Sequence, residues 1–192
     1  MNNDYNARLE RAKLHGRWFF ESLDPSLKEL PININEIVNA NPNWELMFAD
    51  LYGEDGYTLF KYKKGKKKFR ICIEPYAMVE RKRFTLAHEI GHIVLGHFEE
   101  YYCRDLTQYE EFVLDREADM VAAEILMPYN SMLEHYKWSI KGLTFRYHVS
   151  KEAAQVRLNV LKKDSMFLRD TNKDKKINTI LNDVHEMVSH FY

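Results

Sequence analysis

The segment from Arg83 to His97, RFTLAHEIGHIVLGH, constrains this chain most, because it sets His88, Glu89 and His92 in a His-Glu-x-x-His pattern. On a helix, two histidines four residues apart lie one turn apart on the same face, so both imidazoles reach one metal ion. Zinc takes neutral imidazole nitrogens at about 2.0–2.1 Å and favours four ligands in a tetrahedron. Glu89, beside the first histidine, is then placed to take a proton from a water held by that metal. Phe84, Ala87, Ile90, Ile93, Val94 and Leu95 supply apolar positions at helical spacing, and no proline interrupts them. Gly91 costs about 1 kcal/mol of helix propensity relative to alanine, which predicts a backbone or a substrate approaching closely beside His92.

The rest of the chain sets the frame for that helix. At 192 residues it suits one domain, or a domain with a small appendage, and can bury a proper core. A hydrophobic fraction of 45% with 14% aromatics belongs to a globular protein rather than a disordered one. The net charge of −1 offers no overall field to recruit nucleic acid or an anionic membrane. The start, MNNDYNARLERAK, has no apolar core after its charges, and no apolar run reaches the roughly 18 residues a bilayer span needs. Cys72 and Cys103 have neither the number nor the spacing of a disulfide framework or a thiolate zinc site. A cytoplasmic protein with free thiols is expected.

Periodicity predicts an amphipathic helix from Tyr5 to Leu23, stopped by Asp24-Pro25, and a short helix over Asn35 to Ala40. Three strands follow: Trp44 to Ala49, Tyr57 to Tyr62, and Phe69 to Ile73, the last two joined by a turn at Lys64-Gly65. In the last strand Phe69, Ile71 and Ile73 alternate with Arg70, Cys72 and Glu74, which suits one buried face. Its place just before the His-Glu-x-x-His helix makes it the expected open edge for an extended peptide. The basic cluster beside it, Lys61 to Arg70, reads as a solvated hairpin tip. After the helix over Val79 to Gly96 come a helix from Glu110 to Met127 and a compact helical pair from Leu143 to Leu161. A charged linker over 162–176 and an amphipathic helix over 177–192 complete the chain.

A catalytic zinc normally takes three protein ligands and keeps a fourth position open. The third is expected from EEFVLDREADMVAAEILMP, whose apolar line runs through Leu114, Ala118, Val121, Ala122 and Ile125. Asp115 and Glu117 flank that line on opposite sides, and Glu124 lies one heptad beyond Glu117, so periodicity does not choose among them. The longer reach of glutamate favours Glu117. Glu110, Glu111 and Glu124 read as a solvated face. Asp119 is a candidate for orienting a ligand histidine from behind, and Tyr76, Tyr147 and His148 are candidates by type for a donor to the transition state.

RFTLAHEIGHIVLGH followed by READMVAAEILMP resembles the ImmA/IrrE family of zinc metallopeptidases, and LTFRYHVSKEAAQVRLNVL resembles the helical element that follows its catalytic core. The resemblance spans roughly Ile71 to Leu161. It implies an α+β, zincin-like fold with a small, antiparallel-containing sheet packed beside the active-site helix. The domain would cover 1–161, with 143–161 as a helix-turn-helix-like pair packed on it. The resemblance further implies that His88, His92 and Glu117 bind one Zn2+, that Glu89 is the general base, and that the substrate is a specific protein such as a helix-turn-helix repressor. The chain is shorter than members carrying a sensor-like domain and looks closer to the compact ImmA type.

Two other classes stay open on sequence. FRYHVSKEAAQVRLNVL has helix-turn-helix character, with Ser150 as an N-cap, which would suit a non-catalytic DNA-associated regulator. Its basic residues are sparse, Lys151 and Arg157, so packing is favoured and direct nucleic-acid binding is not expected. A partner-binding protein with a structural zinc is the other, against which Glu89 argues: a closed site has no need of an adjacent base.

Overall fold

The computed structural model describes residues 2–101 and 105–171, with side chains described over 4–101 and 105–164. In chain order the elements are α1 (Asn2–Ser22), a 3-10 turn (Pro25–Leu27), α2 (Ile34–Ala40), β1 (Trp44–Phe48), β2 (Gly56–Lys63) and β3 (Lys66–Ile73). There follow α3 (Val79–Val94), α4 (His97–Glu100), α5 (Gln108–Leu126), α6 (Tyr129–His135), α7 (Ile140–Tyr147) and α8 (Lys151–Thr171). The class is α+β, with the small sheet and the mostly helical second half that the sequence implies.

β3 lies in the middle of the sheet, parallel to β1 and antiparallel to β2. This corrects the expectation that Phe69 to Ile73 forms an open edge. Its alternation reports one buried face but not the number of neighbouring strands. β1 takes the second side, with Trp44 opposite Phe69 and Phe48 opposite Ile73. Cys72, on the other face, is also fully buried. Among the described residues the open edges belong to β1 and β2.

α3 packs against the sheet, α5 against α3, and α1 against α5. Ile71, Ile73, Ile90, Val121 and Ile125 belong to the core between these layers. Two glycines make the helix crossings close. A Cβ on Gly91 would sit 2.8 Å from the Ala118 carbonyl oxygen, and one on Gly16 would sit 3.0 Å from Val121 Cα. The neighbour that Gly91 predicts beside His92 is therefore the backbone of α5, which brings that helix's acids against α3. The start of α5 is fixed by a capping box: Thr107 Oγ1 accepts from Glu110 N at 3.2 Å, and Glu110 Oε2 accepts from Thr107 N at 2.9 Å. Glu110 is thus a cap rather than part of an idle solvated face.

Glu124 is a second departure. Its side chain is 0% exposed and is gripped by Arg157, Nη1 at 2.8 Å and Nη2 at 2.6 Å, with Arg17 Nε at 3.2 Å. Arg157 also donates from Nε to the Met127 carbonyl at 3.0 Å, so one of the basic residues of the helix-turn-helix-like stretch is inside the protein and does not face a nucleic acid. Removing one partner of a buried, hydrogen-bonded pair strands the other charge, so Glu124→Ala is expected to lower stability by about 3–5 kcal/mol. Urea unfolding measures this. A loss no larger than that of an exposed pair, about 0–1 kcal/mol, would contradict it.

Ser150 caps α8 by accepting from Ala153 N at 3.1 Å. The helix runs on to Thr171, through the first ten residues of the stretch expected as a charged linker. Asp164 gives it an anchor there, 3.4 Å from Lys13 Nζ and 3.6 Å from Arg17 Nη2 on α1. The remainder of that linker, 172–176, and the amphipathic helix expected over 177–192 lie outside the described residues. Among the described residues no helix is long and apolar enough to cross a membrane.

Candidate metal centre

Helical spacing on α3 does what the sequence requires of it. His88 Nε2 and His92 Nε2 face one another at 3.0 Å, on the side of α3 turned to α5. Asp115 Oδ1 completes a triangle, 3.6 Å from His92 Nε2 and 4.0 Å from His88 Nε2. Ligand atoms at about 2.0–2.1 Å from a tetrahedral ion lie roughly 3.3–3.4 Å apart, so the three atoms fit one zinc-sized cation. Among the described residues, His88, His92 and Asp115 are the cluster with metal-ligand chemistry and spacing.

Glu117 lies elsewhere. Two residues along a helix turn the side chain by about 200°, so Glu117 faces α1 while Asp115 faces α3. Its carboxylate accepts from Arg8 Nε at 2.8 Å and Nη2 at 2.7 Å, a bidentate fork, and meets His97 Nε2 at 3.4 Å. Burial works to raise its pKa, but Arg8 and His97 outweigh it and hold the carboxyl down at about 2. The longer reach of glutamate, which favoured Glu117 on sequence, is spent on this clamp.

Asp119 shares a face with Asp115 one turn on, and its Oδ1 lies 3.0 Å from His88 Nδ1. Arg116 Nη1 donates to the other oxygen of Asp119 at 2.8 Å. The carboxylate fixes which imidazole nitrogen carries hydrogen and turns Nε2 bare toward the cluster. Burial draws the His88 pKa down, but Asp119 outweighs it and the net shift is upward. For Asp115, His92 is the leading cause of a downward shift.

Glu89 is buried beside this cluster and accepts from Thr58 Oγ1 at 2.7 Å. The hydroxyl comes from edge strand β2, so the sheet itself aims the carboxylate. The proposed transition-state donors are not gathered here. Tyr147 is fully buried with its hydroxyl against Ser131 Oγ and His135 Nδ1, both at 2.9 Å. Tyr76 is 87% exposed, and His148 is the left-handed cap of α7.

Sequence reasoning did not anticipate Thr58, Arg8 or His97. His97 follows His92 by five residues, about 140° round a continuous helix. Gly96, at φ +73°, breaks the helix and starts α4, bringing His97 Nδ1 to 2.9 Å from His92 Nδ1. A Gly-His pair just past the helix end was the available signal.

An open groove of about 950 Å3 runs beside the cluster between α3, α5 and α8, lined by Phe84, Met120, Ala123, Met127, Val149 and Val156 among others. No curated protein matches the chain. The IrrE N-terminal-like domain, peptidase M78, matches residues 44–159, more than half of it, from β1 into α8. The chain therefore belongs to the ImmA/IrrE family of metallopeptidases.

Proposed function

We propose that this protein is a zinc-dependent peptidase that cuts a specific regulatory protein, with a helix-turn-helix repressor as the substrate class the family likeness suggests. The observation that carries the reading is the convergence of His88 Nε2, His92 Nε2 and Asp115 Oδ1 beside the buried Glu89. His88, His92 and Asp115 would hold the ion, with Asp115 in the role the sequence resemblance gave to Glu117. When bound, zinc supplies Lewis acidity, which brings the pKa of water toward about 7 and polarises a peptide carbonyl.

The chain's own residues do the rest. Glu89 takes the proton of the attacking water and delivers it to the leaving amine. Thr58 holds the carboxylate in line through its hydroxyl. Asp119 keeps His88 in the tautomer that binds. β2, which contributes Thr58 and is an edge strand among the described residues, offers its outer backbone groups to an extended substrate, the role expected of β3. The apolar groove receives flanking side chains of the substrate, away from water.

The test is incubation with helix-turn-helix repressors from the same genome, beginning with any encoded beside this chain's own reading frame, followed by intact-mass analysis. The protein as purified should retain about one zinc per chain and generate defined fragments. A strong chelator should abolish them and added zinc restore them. Cleavage indifferent to the chelator, or a chain that retains no divalent ion, would overturn the reading.

A further inference from the structure

The polar chain behind the histidine pair runs all the way to α1. His92 Nδ1 meets His97 Nδ1 at 2.9 Å, His97 Nε2 meets Glu117 Oε2 at 3.4 Å, and Arg8 clamps Glu117 through two nitrogens. An ionised carboxylate only accepts, so the His97 nitrogen turned toward Glu117 is the one that carries hydrogen. A neutral imidazole has one N–H, which leaves His97 Nδ1 bare. That bare nitrogen accepts from His92 Nδ1, and His92 Nε2 is left bare in turn, facing the bare Nε2 of His88. Two carboxylates, Asp119 on one side and Glu117 on the other, thus turn both imidazoles the same way from opposite ends.

We propose that Arg8, Glu117 and His97 are positioning residues for His92, a relay that fixes its Nδ1–H tautomer and presents its Nε2 lone pair to the ion. The proposal rests on the metal-site reading above and deepens it. Burial supports the assignment. His97 is 7% exposed and Glu117 8%, so bulk water has little access to substitute for either hydrogen bond. The local architecture supports it too. Gly96 in the left-handed region ends α3 and brings His97 back against His92. α1 and α5 run in the same direction, with Tyr5 stacked near Phe112, Arg8 on Glu117 and Arg17 on Glu124. α1 lies outside the matched family domain, yet it supplies the cation that neutralises Glu117. A lone carboxylate there would add a competing negative charge behind the site.

The experiment is titration of the metal-free full chain with Zn2+ against a chromophoric chelator, and with Co2+ read by its visible absorption. His97→Ala should weaken zinc binding roughly 10- to 100-fold and shift the cobalt bands, the usual effect of losing an outer-shell partner. His97→Asn, whose amide oxygen lies close to where Nδ1 sits, should recover most of the affinity and the wild-type spectrum. Glu117→Gln, with Arg8 left in place, should weaken binding and shift the spectrum while circular dichroism stays native, and it stands in if His97→Ala does not fold. If wild type binds one ion and folded His97→Ala and Glu117→Gln match it in affinity and spectrum, the relay is overturned and the metal site stands. If His97→Asn is as weak as His97→Ala, the hydrogen bond is not the cause and the relay is again overturned. If wild type binds no ion, the metal site and the relay fall together.

Discussion

Glu89→Gln is expected to keep the metal and the fold while slowing peptide cleavage by about 10²- to 10⁴-fold, the range a positioned general base supplies. The substitution is nearly isosteric. A glutamine oxygen can still accept from Thr58 Oγ1, which now holds Glu89 Oε2 at 2.7 Å, so the side chain keeps its anchor on β2. It loses the basic oxygen. None of the three proposed ligands, His88, His92 and Asp115, is altered, although His88 precedes Glu89 directly in the chain. The prediction is checked by comparing zinc content and circular dichroism with the rate of fragment formation from the same preparations. Unchanged cleavage by a metal-replete variant would remove Glu89 from the chemistry. Loss of zinc along with activity would mean instead that Glu89 supports the site structurally.

The helix carrying the histidines was legible because everything about it is local. His88 and His92 meet at 3.0 Å because a turn of helix is 3.6 residues long. Gly91 was legible in kind, since a glycine in an apolar helix asks for a close neighbour, but the neighbour's identity came only with the fold. The strands were legible as strands, whereas their order was not. The pattern of Phe69, Ile71 and Ile73 is the same for a strand with one partner as for a strand with two, and β1 pairs with β3 across the intervening hairpin.

Glu124 and Arg157 show the same limit in charge. Each looks like a surface residue on its own helix, and the contact joining them spans 33 residues of sequence. Arg8 and Glu117, 109 residues apart, carry no local trace of one another at all. The continuation of α8 through 162–171 was hidden for a related reason: the charges that suggest a solvated linker include Asp164, which faces Lys13 and Arg17 on α1.

Asp115→Ala should strip the ion from the protein, with a loss of affinity well beyond the roughly 10- to 100-fold that an outer partner contributes, while Glu117→Gln should keep it with a modest penalty. The two acids flank the apolar line of α5 on opposite sides, and the sequence ranks them only by reach. The packing ranks them by neighbour: α3 lies on the Asp115 side and α1 on the Glu117 side. Asp119, one turn after Asp115, held the clue. Two acids four residues apart on one flank can divide the work, the first touching the ion and the second orienting its histidine, and His88 Nδ1 does lie 3.0 Å from Asp119. Glu117 has no second acid four residues away on its flank; its carboxylate meets the guanidinium of Arg8 and the Nε2 of His97 instead. Zinc analysis after dialysis against a weak chelator separates the cases. If Glu117→Gln emptied the site and Asp115→Ala left it filled, the third ligand would be Glu117, and α5 would have to turn about its axis, parting Glu117 from Arg8, to bring it there.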